Sequence, residues 1–189
     1  MNRYSTVVLA AAIIAVASMS AFAQQAQSAS SAPAAPPAQT ANPLSTELKQ
    51  MYNGVKNNLS KMADKMPEEH YSFKASNDIR TFGELVAHVA DSQARNCSLV
   101  NGEQKSVDAG KKTTKADLVA ALKASFDMCD AAFDSLTDAK ASEMVKFGQR
   151  QRSRLVALAG VVSHSNLEYG YMAVYLRLKG IIPPSSEGR

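Results

Sequence analysis

The sequence predicts an all-α domain, most simply a four-helix bundle, and three observations carry that expectation. Apolar residues recur at steps of three and four along separate stretches, no stretch alternates convincingly with period two, and capping or stop residues punctuate the stretches. Helices of this kind bury one stripe each by packing the stripes together.

The first stripe is Leu44, Leu48, Met51, Val55, Leu59, Met62 and Met66. Pro43 suits its start and Pro67 stops it. The run "EEHYSFKASNDIR" that follows has neither period and reads as loop. Thr81, with Glu84 three residues on, forms the capping-box pattern of a second helix. Its inward side is Phe82, Leu85, Val86, Val89, Cys97 and Val100, and Asn101-Gly102 ends it. A polar, Gly-containing connection, "EQKSVDAGKKTTK", leads to a third helix from about Lys115, carrying Leu118, Leu122, Phe126, Cys129, Phe133 and Leu136. After another polar stretch the last helix runs from about Gln151 to Lys179, with Leu155, Leu158, Val162, Met172 and Leu176 inward. Gly180 and Pro183-Pro184 close it.

The links bear on topology. Up-and-down bundles use short connections, whereas those on either side of the second helix each need about a dozen residues. About 13 extended residues reach some 40 Å, enough to return along a helix of ~20 residues, ~30 Å long. Helices two and three can therefore run parallel, joined by a crossover in an up-down-down-up bundle. Cys97 and Cys129 then fall within about one turn of the same height, whereas antiparallel helices would offset them by ~15 Å, beyond disulfide reach. Two cysteines in an exported chain fit a pair; the alternative is two buried free thiols.

Export itself is read from the N-terminus. "MNRYSTVVLAAAIIAVASMSAFA" has one Arg, an uncharged apolar run and a small-x-small end at Ala21-Phe22-Ala23. That is the layout of a signal peptide over residues 1–23, cleaved after Ala23, with a periplasmic or secreted product. Residues 24–43 are Ala, Gln, Ser and Pro without charge or large apolar side chains, a disordered linker. Residues 44–189 are left as one domain of ordinary size. The formal charge of +4 is spread among acids, and Arg150, Arg152 and Arg154 form the only dense basic cluster. They read as the solvated entry to the last helix. The expectation is no nucleic-acid partner and no membrane partner after signal cleavage.

The residues that could carry chemistry are few. Of the three histidines, His70 sits in a loop beside two glutamates and reads as surface. His88 flanks the stripe of the second helix. His164 and Glu168, four apart, stack on one face of the last. Two imidazoles and a carboxylate suit zinc with an open position, or another divalent ion such as nickel, manganese or iron. Asp91, three residues after His88, either orients an imidazole or faces solvent. Tyr169, Tyr171 and Tyr175 either line a pocket mouth or pack with wet hydroxyls. No Ser-His-Asp order, phosphate loop or paired-Cys zinc motif is present.

The stretches "RTFGELVAHVADSQARNCSLVNGE" and "VVSHSNLEYGYMAVYLRLKGIIPPSS" resemble the DinB-like family of metal-binding four-helix bundles, over about residues 45–189. The resemblance implies a crossover between helices two and three, in agreement with the link lengths. It also implies three histidine ligands, one from helix two and two from helix four. His88 and His164 match; the third place falls on Glu168. Either the site persists as two histidines and a glutamate, with Asp91 or Tyr169 orienting a ligand from behind, or it is lost. The implied functions are a metal-dependent hydrolase or transferase acting on a small-molecule substrate, or a non-catalytic, stress-associated bundle with a degenerate site. Similar proteins include thiol-dependent transferases, a branch that an oxidising exported setting disfavours. Related bundles also pair as homodimers, and no exposed stripe in the sequence is assigned to such a contact.

Overall fold

Pro43 opens the first helix because its missing N–H falls where a helix has no acceptor to offer. The computed structural model describes residues 41–188. The expected signal peptide, and nearly all of the expected linker, lie outside the described residues. Helix α1 spans Pro43–Lys65 and ends where Met66 turns extended before Pro67. Its inward face is Leu48, Tyr52, Val55, Leu59 and Met62. Leu44 and Met51, expected inside, are 55% and 60% exposed. The true stripe steps from Leu48 to Tyr52, four residues on, and that register turns Met51 outward. Tyr52 stacks on Phe133 with ring centroids 4.0 Å apart. Its hydroxyl donates to Asp130 Oδ1 at 2.8 Å, so the ring is buried without stranding the polar tip. Burial first, and then the Asp130 carboxylate, raise the pKa of this phenol far above its usual value.

Helix α2, Phe82–Val100, begins at the expected capping box: Thr81 accepts from the Glu84 amide, and the Glu84 carboxylate accepts from Thr81 N at 2.7 Å. Helix α3, Lys115–Asp134, is capped by Thr114. Between α3 and the last helix lies an element absent from the sequence expectation, a hairpin of β1 (Met144–Phe147) and β2 (Arg150–Ser153). Its strands pair antiparallel across the two-residue turn Gly148-Gln149. Arg150 and Arg152 are therefore exposed strand residues, not the entry to a helix. Arg154 begins helix α4, Arg154–Leu178, and donates from Nη2 to Ser135 Oγ at 2.7 Å. Gly180 ends α4 at φ 71°, a left-handed turn that costs glycine little. It lets Gly180 N donate to Arg177 O and Ile181 N to Leu176 O.

Side-chain contacts fix the directions of the helices. Lys49 pairs with Asp134 and Lys56 with Asp130, while Lys115 reaches the end of α1 at Met66 O, 2.8 Å away. Thus α1 and α3 are antiparallel. Leu118, early in α3, lies against Gly83, early in α2, and Asn101 at the far end of α2 donates to Met128 O at 3.1 Å. Thus α2 and α3 are parallel, joined by the long link through residues 101–114. A disulfide between Cys97 and Cys129, Cα atoms 4.9 Å apart, ties them. Tyr175 donates to Arg80 O at 2.6 Å, and Gln93 donates to Ser165 Oγ at 3.3 Å, so α4 runs antiparallel to α2.

One continuous core fills the space between the helices. Outside it, α4 shows an apolar stripe that the sequence reading did not assign, Leu167, Tyr171, Val174 and Leu178, each 51–56% exposed. Among the described residues no helix is long and apolar enough to cross a membrane.

Candidate metal centre

On α2, Leu85 and Val89 are buried in the core, and His88, between them in sequence, sits at the boundary with its side chain 33% exposed. On α4, Ser165 and Glu168 share the buried face and His164 lies one turn back from Glu168. Because α2 and α4 are antiparallel neighbours, the three side chains meet. His88 Nε2 and His164 Nε2 are 3.1 Å apart, and Glu168 Oε1 is 3.5 Å from each.

These separations permit a chemical test. Ligand atoms ~2.0–2.1 Å from one ion stand ~3.4 Å apart at tetrahedral angles and ~2.9 Å apart at right angles. The observed separations of 3.1, 3.5 and 3.5 Å fall at or near that range. Glu168 is also the only buried charged side chain among the described residues, and its Oε2 has no hydrogen-bond partner. A buried carboxylate with an idle oxygen is costly in a bundle core unless a cation accompanies it. The donor set therefore fits a divalent ion.

The surroundings favour neutral imidazole. Burial is the main cause that holds the His164 pKa below its usual value; His88, Arg95 and Arg80 push the same way, and Glu168 opposes them. Metal ligation needs that neutral form. Beneath the triad the polar layer continues into Gln93, which donates to Ser165 and whose Oε1 is unpartnered.

The two auxiliary residues have other work. Asp91 does not face an imidazole: its Oδ1 accepts from Ala109 N at 2.8 Å and its Oδ2 from Gly110 N at 3.0 Å. It pins the crossover link to α2. Tyr169 turns to the C-terminal segment, donating to Ser185 Oγ at 2.7 Å and accepting from Ser185 N at 2.9 Å. Both partners are loop residues distant in sequence, and no local pattern announces them. His70 sits on a 3-10 turn, Glu68–His70, apart from the triad.

A groove of about 1190 Å³ opens beside His88, and Tyr171 and Tyr175 are among its lining residues. Arg80 and Arg95 also border it, and the sequence reading passed over both. Arg95 could have been found, because it lies seven residues after His88, two turns along the same face of α2.

Gly83, one of the lining residues, packs tightly against the loop behind it. A Cβ there would stand 3.2 Å from Tyr71 O, the acceptor of its own amide at 2.8 Å.

Among curated proteins nothing matches the chain. Among solved structures, a DinB-like protein from Bacillus cereus is similar, with a TM-score of 0.64 and 18% identity over 74% of this chain and 95% of that one. A second, from Bacillus subtilis, has a TM-score of 0.58 and 19% identity over 71% of this chain and 92% of that one. At such identities the likeness is one of fold. The family model of the DinB superfamily matches residues 51–172, from within α1 to the last third of α4 and across all three clustered side chains. The chain belongs to the DinB superfamily.

Proposed function

We propose that this chain is an exported protein that holds a divalent metal ion with His88, His164 and Glu168 and uses it in hydrolysis or group transfer on a small molecule. The observation that carries the reading is the convergence of three donor atoms from two helices around a buried, half-unsatisfied carboxylate. When bound, a Lewis-acidic ion supplies a polarised oxygen, from water or from substrate. His88 stands where the groove meets the triad, which sets the side from which a substrate approaches. His164 and Glu168 belong to the triad from α4 and are not among the groove's lining residues. The disulfide and the absence of a membrane-crossing helix among the described residues are compatible with a periplasmic or secreted location.

A second reading, metal-dependent binding without turnover, is favoured by one observation. Asp91 is engaged by backbone amides and Glu84 by its capping box, so neither carboxylate near His88 is free as a general base.

The test is metal content after incubation of the purified protein with zinc, nickel, manganese or iron. One equivalent in the wild type, lost in His164→Ala and Glu168→Ala, supports the metal site. Wild-type protein that takes up none of the four removes it. Hydrolysis of simple esters and phosphoesters by loaded protein then separates turnover from binding.

A further inference from the structure

The lining of the groove beside His88 combines cationic with apolar side chains. Arg80 lies just before α2 and Arg95 two turns beyond His88. At 1.5 Å per residue these stand ~12 Å to one side of His88 and ~10 Å to the other along the helix. Lys112, from the crossover link, and Lys74, from the loop before α2, bring the cations of the lining to four. None of the four has an ion-pair partner among the described residues.

Acids are present too, and they must be weighed. Asp91 and Glu84 line the groove but are committed to backbone amides, and Asp78 remains at the exposed rim. The uncommitted charge is therefore mostly positive. Apolar groups share the lining: Ile79, Tyr171 and Val174 are 44%, 51% and 53% exposed. The Tyr175 hydroxyl, bonded to Arg80 O at 2.6 Å, fastens α4 to the cationic rim. Unpaired guanidiniums and exposed apolar side chains lining one concave surface are the complement of an amphiphile.

We propose that the groove takes an organic anion with an apolar body. Its carboxylate or phosphate lies at Arg80, and its aliphatic or aromatic part lies on the adjoining Ile79 and on Tyr171 and Val174. This deepens the metal reading and rests on it, since the groove that holds such a ligand also reaches His88. An inorganic anion leaves the apolar lining wet, and a neutral apolar molecule leaves the arginines unanswered.

The experiment titrates the zinc-loaded full chain with octanoate, octanol, octylammonium and acetate, following heat, with zinc content measured on every sample. Octanoate is expected to bind at least about tenfold more tightly than octanol or acetate, and octylammonium not at all. The double variant Arg80→Gln/Arg95→Gln is expected to lose about tenfold in octanoate affinity at unchanged zinc content. Tyr171→Ser is expected to weaken octanoate and leave acetate as it was. Octanoate no tighter than octanol, or indifferent to both arginines, overturns the proposal. Zinc itself attracts carboxylates, so the arginine variants and a repeat on zinc-stripped protein assign the preference to the groove. A chain that takes up no zinc overturns the metal reading instead, whatever the titration gives.

Discussion

Glu168 is the residue on which the stability and the proposed chemistry of this chain pull apart. Its carboxylate is buried with Oε2 unpartnered, so in metal-free protein the ionised group is a burden on folding. Glu168→Gln keeps the shape and removes the charge. At pH 8 and without metal the variant is expected to be more stable than wild type by about 1 kcal/mol or more, while its zinc affinity falls at least about tenfold. Thermal unfolding in chelator, beside a zinc titration, checks both halves. His164 adds a pH dependence of known sign. Burial depresses its pKa, so the folded chain binds fewer protons than the unfolded one between the lowered value and about 6.5. Stability rises with pH across that window and is complete above it. Metal-free protein is expected to melt earlier at pH 5 than at pH 7.5, and His164→Gln to flatten part of that difference. Of the site, the sequence made the clustered triad legible because two of its members share a helix face and His88 flanks a regular stripe. The jobs of Asp91 and Tyr169 were not legible, because their partners at Ala109, Gly110 and Ser185 come from loops that no periodicity describes.

At the scale of elements, the pair α2 and α3 is covalently joined through Cys97–Cys129, which closes a separation of 32 residues. Loop-closure arithmetic for that length gives about 3–4 kcal/mol of stabilisation. Cys97→Ser/Cys129→Ser is therefore expected to unfold at a midpoint about 10 °C lower. Reductant should lower the wild-type midpoint comparably and leave the variant unmoved. Helix ends were readable from chemistry that acts within four residues: the Thr81–Glu84 box, Pro67 and Gly180 each stop or start a helix where expected. The hairpin was not readable. Its strands are four residues each with mostly exposed side chains, so burial never imprinted an alternation on them. The outward register of Met51 was missed for the opposite reason. Tyr52 is amphipathic, and only its contacts with Phe133 and Asp130 show that it belongs inside.

For the molecule as a whole, the four-helix architecture followed from stripes and links alone, since every long stripe needed a partner and the link before α3 was long enough to return along a helix. The export reading makes a prediction at this scale. Protein recovered from outside the cytoplasm is expected to begin at Gln24 and to gain two mass units on reduction; an intact N-terminus refutes it.

His88 and His164 stand 76 residues apart in the chain. An unfolded polypeptide holds both imidazoles but not their rendezvous, so an ion bound by both would report that α2 and α4 have packed against each other. Uptake would then count folded copies, and each captured ion would deepen the native well by mass action.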